Sequence, residues 1–140
     1  MLRLASFPPD RHEIEKWFVY HQREWSAGEA YRFAVEHNGT MVGIVDIDEI
    51  AEGEGTLGYW LDRAVWGRGY AFEAAHAVTR FAFQVIGLSK LSSEHAVDNP
   101  ASGRVLLKLG FAPLDVVTRF SRPRGASILQ HRYMLSSLPD

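Results

Sequence analysis

The chain reads as one α+β domain whose first half is an antiparallel meander. Three observations predict this. The first half carries strand-like segments joined by tight turns. The second half changes to helical spacing, with a glycine closing each helical run. The resulting order is helix, three strands, helix, strand, helix, two strands, which is not the regular βαβ alternation of a doubly wound domain.

Pro8-Pro9-Asp10 is a start signal for a helix over about Arg11 to Trp25, and Ser26-Ala27-Gly28 ends it. Only about ten residues precede this helix, and Leu2–Phe7 is at best a remnant strand. Tyr31 to Glu36 alternates bulky apolar with polar or small residues, as a half-buried strand does. Asn38-Gly39 is a hairpin signal, because both residues tolerate positive φ. Met41 to Ile47 is the returning strand, Glu52–Gly55 a second turn and Thr56 to Asp62 a third strand. From Tyr70 to Ile86 the apolar residues Ala71, Ala74, Ala75, Val78, Phe81, Ala82 and Val85 fall at helical spacing, with Gly87 as cap. Leu88 to Val97 is a strand, Ser102 to Leu109 a short helix capped by Gly110. Ala112–Phe120 and Ser127–Leu135 are strands separated by Pro123-Arg124-Gly125.

Composition excludes several classes of function. The 140 residues suit one core, and no repeat or long linker divides them. A net charge of −2 lacks the basic excess of a nucleic-acid binder. No apolar run approaches the ~18 residues of a membrane span, and the start has too short an apolar core for a secretory signal. A cytoplasmic location is the expectation. The chain has no cysteine, so it has no disulfide, thiolate zinc site, iron–sulfur cluster or cysteine nucleophile. Its six histidines show no metal-ligand spacing, and no metal is expected.

The informative segment runs from Trp60 to Ala74, where a strand ends, a glycine-bearing loop follows and a helix opens. Gly67 and Gly69 let the backbone turn tightly and a ligand approach without a Cβ in the way. The first N–H groups of a helix have no partner within it, and its N-terminal dipole end is positive. Such a mouth holds a pyrophosphate without a large basic patch. Gly-x-Gly also occurs in connections that merely need a small-residue turn. No Gly-Lys-Ser/Thr follows, which excludes a P-loop, and Phe72 stands where a dinucleotide fingerprint has its third glycine.

Gly58-Tyr59-Trp60-Leu61, then Trp66-Gly67-Arg68-Gly69-Tyr70-Ala71 and Glu73-Ala74, resemble the acetyl-CoA-binding signature of the GNAT N-acetyltransferase superfamily. The nearest branch is that of the ribosomal-protein-alanine N-acetyltransferases, RimJ/RimL-like. A second block agrees: Asp98 to Phe111 resembles the Asn-x-x-Ser-x-Arg-Val…Lys-x-Gly-Phe segment of the same branch. The resemblance covers about Tyr31 to Leu135. It implies a mixed, mostly antiparallel central sheet flanked by helices, whose two central strands, here Thr56–Asp62 and Leu88–Val97, splay apart to receive the pantetheine arm. Relative to the family the N-terminal strand and helix are shortened. That part helps wall the acceptor pocket, so a partner subunit, as in a homodimer, is one source of the missing wall.

The resemblance further implies direct transfer of an acetyl group from acetyl-CoA to a primary amine, either a protein N-terminus or a small amine. Backbone groups near Trp60 and Leu61 would pair with the arm, and Gly67, Arg68, Gly69, Tyr70 and Ala71 would hold the pyrophosphate. Asn99 would reach the arm; its other reading is a helix cap before Pro100. Arg104 and Lys108 share a helix face and would meet CoA phosphates, or form a solvated basic face. Many members place a proton-donating tyrosine seven residues after the asparagine, but Leu106 stands there. Ser102 occupies the place of the branch's serine donor, where a helix-start residue bonding its own backbone would also fit. For a general base the acidic candidates are Asp46, two residues before Asp48 on the same strand face, and Glu94, whose neighbour His95 points to the opposite face. The alternative to an enzyme is a CoA-binding module of the same fold without turnover.

Overall fold

The structure, a computed structural model, describes residues 2–5 and 25–139, the first four as backbone. The helix expected over Arg11 to Trp25 lies outside the described residues, apart from one helical turn at 25–27. A single sheet of seven strands organises the rest, in the order β1-β2-β3-β4-β5-β7-β6. Its strands are β1 (Leu2–Ala5), β2 (Tyr31–His37), β3 (Thr40–Ala51), β4 (Glu54–Leu61), β5 (Lys90–Ala96), β6 (Ala112–Ser121) and β7 (Ala126–Leu135). The remnant expected at the start is thus a true edge strand, antiparallel to β2. Every neighbouring pair is antiparallel except β4 and β5. The turn Asn38-Gly39 has positive φ at both residues, as its sequence requires.

Among the described residues, two helices cover one face: α1 (Tyr70–Phe81), continued by a π-helical turn over Ala82–Ile86, and α2 (Pro100–Leu109). Gly87 and Gly110 close them in the left-handed conformation, with φ of 82° and 101°. Continuous helical spacing placed Val85 on the apolar face, yet Val85 is exposed. The wider π turn rotates the chain there and carries the side chain off the stripe.

The core lies between the helices and one sheet face. Val45, Ile47, Leu57 and Leu91 project from the strands, and Ala75, Val78 and Leu106 meet them from the helices. Each fully buried aliphatic side chain of this kind is worth about 1.5–3 kcal/mol relative to exposure. Trp25 stacks edge-on against Tyr31 and Phe33 and docks its helical turn beside Phe81. The opposite sheet face is charged. There Arg32 holds Asp46 and Asp48, each at 2.9 Å, and Asp46 sits directly across from Gly58.

Candidate functional site: a fork in the sheet beneath a glycine loop

The site begins where the one parallel pairing fails. β4 and β5 share three rungs, Glu54–Lys90, Gly55–Leu91 and Thr56–Ser92, and then part. Side chains fasten the vertex. The Thr56 and Ser92 hydroxyls lie 3.2 Å apart, and the buried Ser93 hydroxyl donates to the Leu57 carbonyl at 2.8 Å. Further along, the Trp66 indole N–H donates to the Leu61 carbonyl at 2.9 Å and ties the loop back to the end of β4. Backbone groups alternate in direction along a strand. The carbonyls of Leu57 and Leu61 both face the open side, so the Tyr59 N–H and C=O between them face it too. The rung left for an extended ligand is therefore at Tyr59, one residue before the Trp60–Leu61 pair expected from sequence.

The loop after β4 turns through a short 3-10 segment, Arg63–Val65, started by Asp62, whose carboxylate accepts from Ala64 N–H at 3.1 Å. Gly67 and Gly69 both have φ of 78°, a conformation that costs a side-chain-bearing residue about 1–2 kcal/mol. A Cβ built on either meets nothing within 4 Å, so both glycines border open space. Gly69 is the N-cap of α1, and no side chain caps this helix. The first main-chain N–H groups of α1 are thus left for a ligand at the positive end of the helix dipole.

A cavity of about 390 Å³ joins the fork to this helix mouth, within the range of small-ligand sites. Of the expected residues, Trp60, Leu61, Gly67, Gly69, Tyr70 and Ala71 line one side of it. Asn99, Ser102, Arg104 and Lys108 line the other, from α2. Lys108 lies over the Phe72 ring, with Nζ 4.2 Å from its centroid, which fixes an ammonium at the cavity edge. Asn99 is the N-cap of α2 but makes no side-chain cap bond; its amide instead donates to the Ser102 hydroxyl at 3.1 Å. Arg68 is exposed on the loop and lies outside the cavity lining.

The two acidic candidates stand elsewhere. Glu94 pairs with Arg119 at 3.3 Å, on the sheet face away from the helices. Asp46 pairs with Arg32 on that same charged face. Neither lines the cavity. Among the described residues there is no group of three or more His, Asp or Glu that could hold a metal ion, and no helix long and apolar enough to cross a membrane.

From sequence Tyr59 is only part of the Gly58–Leu61 signature, and His95 is the neighbour of Glu94 that faces the other way. The structure joins both to a polar cluster under the first turn of α2. The Tyr59 hydroxyl donates to the Ser102 carbonyl at 3.1 Å. His95 is buried, and its Nδ1 lies 2.7 Å from the Ala96 carbonyl, which can only accept; Nδ1 therefore carries the proton. Its Nε2 lies 3.1 Å from the Tyr133 hydroxyl, within hydrogen-bond distance. Gly103 makes room for this cluster: a Cβ there would stand 2.8 Å from His95 Nε2 and 3.0 Å from the Tyr133 hydroxyl. A glycine in mid-helix was the visible signal. Burial pushes the Tyr59 phenol above its ordinary pKa; the Ser102 side-chain hydroxyl opposes the rise and the nearby Tyr133 adds to it.

The profile of the GNAT acetyltransferase domain matches residues 1–112. The ribosomal-protein-serine acetyltransferase of Escherichia coli K12 is 29% identical over 103 residues, 72% of this chain and 55% of that protein. The chain spans 55–63% of the length of the first curated relatives it matches. Mycobacterium smegmatis RimJ, solved in complex with CoA-disulfide, superposes with a TM-score of 0.80 at 22% identity, covering 91% of this chain and 64% of that one. A spermidine N-acetyltransferase chimera of Vibrio cholerae SpeG and hSSAT gives 0.78 at 16% identity, covering 96% and 95%. These solved structures share the fold. The chain belongs to the GNAT acetyltransferase domain family.

Proposed function

We propose that the protein is an acetyl-CoA-dependent N-acetyltransferase that passes the acetyl group directly to a primary amine, a protein N-terminus or a small amine. The observation that carries this reading is the continuity of one cavity from the uncapped mouth of α1 to the open Tyr59 rung of the fork. The glycine cradle fits a diphosphate, because a Cβ at Gly67 or Gly69 would occupy the space the phosphates need. Arg104 and Lys108 add positive charge along the same wall.

Within this reading each residue has a task. The main-chain N–H groups of Gly69, Tyr70 and Ala71 hold the diphosphate. The backbone of Tyr59 pairs with the pantetheine arm as an added strand would, and its N–H polarises the thioester carbonyl. The Asn99 amide steadies the Ser102 oxygen, leaving the Ser102 hydroxyl hydrogen free to point at the departing sulfur. The demand on that donor is modest, since a free thiol has a pKa of ~8.5. Asp46 and Glu94, each held by an arginine on the sheet face away from the helices, act through charge and water rather than by touching the thioester. An α-amino group, with a pKa of ~7.7–8.0, is partly neutral near pH 7 and sheds its proton to a water chain.

The reading is tested by thiol release from acetyl-CoA across a panel of peptides, polyamines and small amines, with products read by mass. Amine-dependent release with a mass gain of one acetyl group is the expected result. Cofactor binding with no release across the panel would instead make the protein a CoA-binding module of this fold.

A further inference from the structure

We infer that Tyr59 is a second hydroxyl donor to the leaving sulfur, acting beside Ser102 from the sheet side of the cavity. This rests on the reading above, that acetyl-CoA lies along the fork. The starting observation is what α2 lacks. Leu106 is fully buried in the core and has no hydroxyl to offer. The cavity nevertheless has a phenol. Tyr59 lines it, and of the β4 residues that do so it stands nearest the vertex at Thr56–Ser92.

Three features place the phenol for this task. Its own backbone is the open rung of β4, so a thioester paired there lies next to the residue that would serve it. Its hydroxyl already reaches the first turn of α2, where it donates to the Ser102 carbonyl at 3.1 Å. The Ser102 and Tyr59 oxygens therefore approach the same stretch of cavity from helix and sheet. Turning the phenol's C–O bond re-aims the hydrogen from that carbonyl to a sulfur. Burial keeps the phenol protonated, hence a donor, throughout the neutral range.

The step balances without any group the protein lacks. The amine nitrogen attacks the thioester carbon, the C–N bond forms and the C–S bond breaks. Sulfur leaves with the bonding electron pair. Tyr59 and Ser102 donate hydrogen bonds to it as its charge grows, and neither gives up its proton. Solvent takes the proton shed by the amine, and the thiolate takes one from solvent. The phenol is a weaker acid than the thiol, and burial makes it weaker still, so hydrogen bonding rather than full transfer is the energetically accessible form of help.

The test uses bound CoA and needs no acceptor. The thiol of CoA on the full-length protein is titrated by its thiolate ultraviolet absorbance, for the wild type and for Tyr59→Phe and Ser102→Ala. Hydrogen-bond donors to a thiolate lower its pKa. The expected result is a bound thiol pKa below that of free CoA, raised by about one unit on Tyr59→Phe, equivalent to about a tenfold change. In turnover, Tyr59→Phe should lower kcat about tenfold while the KM for acetyl-CoA stays within about twofold. Tyr59→Phe preserves the ring, and a calorimetric Kd for CoA within about twofold of wild type certifies the cavity. A bound thiol whose pKa is the same in the wild type and Tyr59→Phe overturns the assignment while leaving the transferase reading intact. CoA that fails to bind the wild type overturns both.

Discussion

The Ser93 hydroxyl donates to the Leu57 carbonyl at 2.8 Å, one residue beyond the last backbone rung that β4 and β5 share. A side chain thus does at the vertex what backbone can no longer do, because the strands have begun to part. The bond is buried, so its loss would leave a carbonyl without a partner in the core. Ser93→Ala should therefore cost about 1–3 kcal/mol in urea unfolding. It should also weaken acetyl-CoA binding, since the fork would no longer open at a fixed rung. Unchanged stability would show that the vertex does not depend on this bond.

Gly103→Ala separates two opposed effects. Helix propensity alone predicts a gain of about 1 kcal/mol for replacing a mid-helix glycine by alanine. The structure predicts a loss, because the new methyl would press on His95 Nε2 and the Tyr133 hydroxyl at 2.8 and 3.0 Å. Overpacking of this kind costs about 1–3 kcal/mol. A lowered melting temperature is the expected outcome; a raised one would mean that the cluster under α2 has slack.

Lys108 is held over the Phe72 ring at the cavity edge. Lys108→Met keeps most of the apolar stem and removes the charge. It should weaken acetyl-CoA binding several-fold at low ionic strength and less at high, because exposed charge pairs are screened within ~10 Å at 0.1 M salt. Calorimetry at two salt concentrations reads the difference, and a salt-independent loss would point to packing instead of charge.

Asp115 illustrates the acid limit of the fold. Hydrogen bonds from Arg132 hold its carboxyl below the usual carboxylate range. The folded-state pKa lies below the unfolded one. The contribution is therefore present above about pH 4 and is lost as pH falls through the lower, folded value. Asp115→Asn should melt below the wild type at neutral pH, and the two curves should converge as the solution is acidified beneath that range. A constant gap would contradict the linkage. Both groups are exposed, so the gap should also shrink with salt.

The order of elements was legible because glycine, proline and apolar period mark them locally: Asn38-Gly39, Gly87 and Gly110 each do in the structure what their residue types require. The helix mouth at Gly69 was legible for the same reason. What sequence did not disclose depends on three-dimensional neighbours. The π turn at Ala82–Ile86 moves Val85 off the apolar face, and nothing in the local pattern announces it. Which backbone edge stays open follows from the bonds to the Leu57 and Leu61 carbonyls, made by Ser93 and Trp66. The pairing of Glu94 with Arg119 and of Asp46 with Arg32 joins residues distant in the chain, so single-strand alternation could assign a face but not a partner.

The central claim is that main-chain nitrogens at the mouth of α1 grip the diphosphate of acetyl-CoA. Isothermal titration of acetyl-CoA into the wild type and into Gly69→Asp tests it most directly. A built Cβ at Gly69 meets no protein atom, so the variant should fold, at a backbone cost of about 1–2 kcal/mol, while its carboxylate fills and repels the phosphate position. Saturable one-to-one binding by the wild type, with loss of at least a hundredfold in affinity in a variant that still melts cooperatively, is the predicted result. Equal affinity in both proteins, or no binding by the wild type, would contradict it.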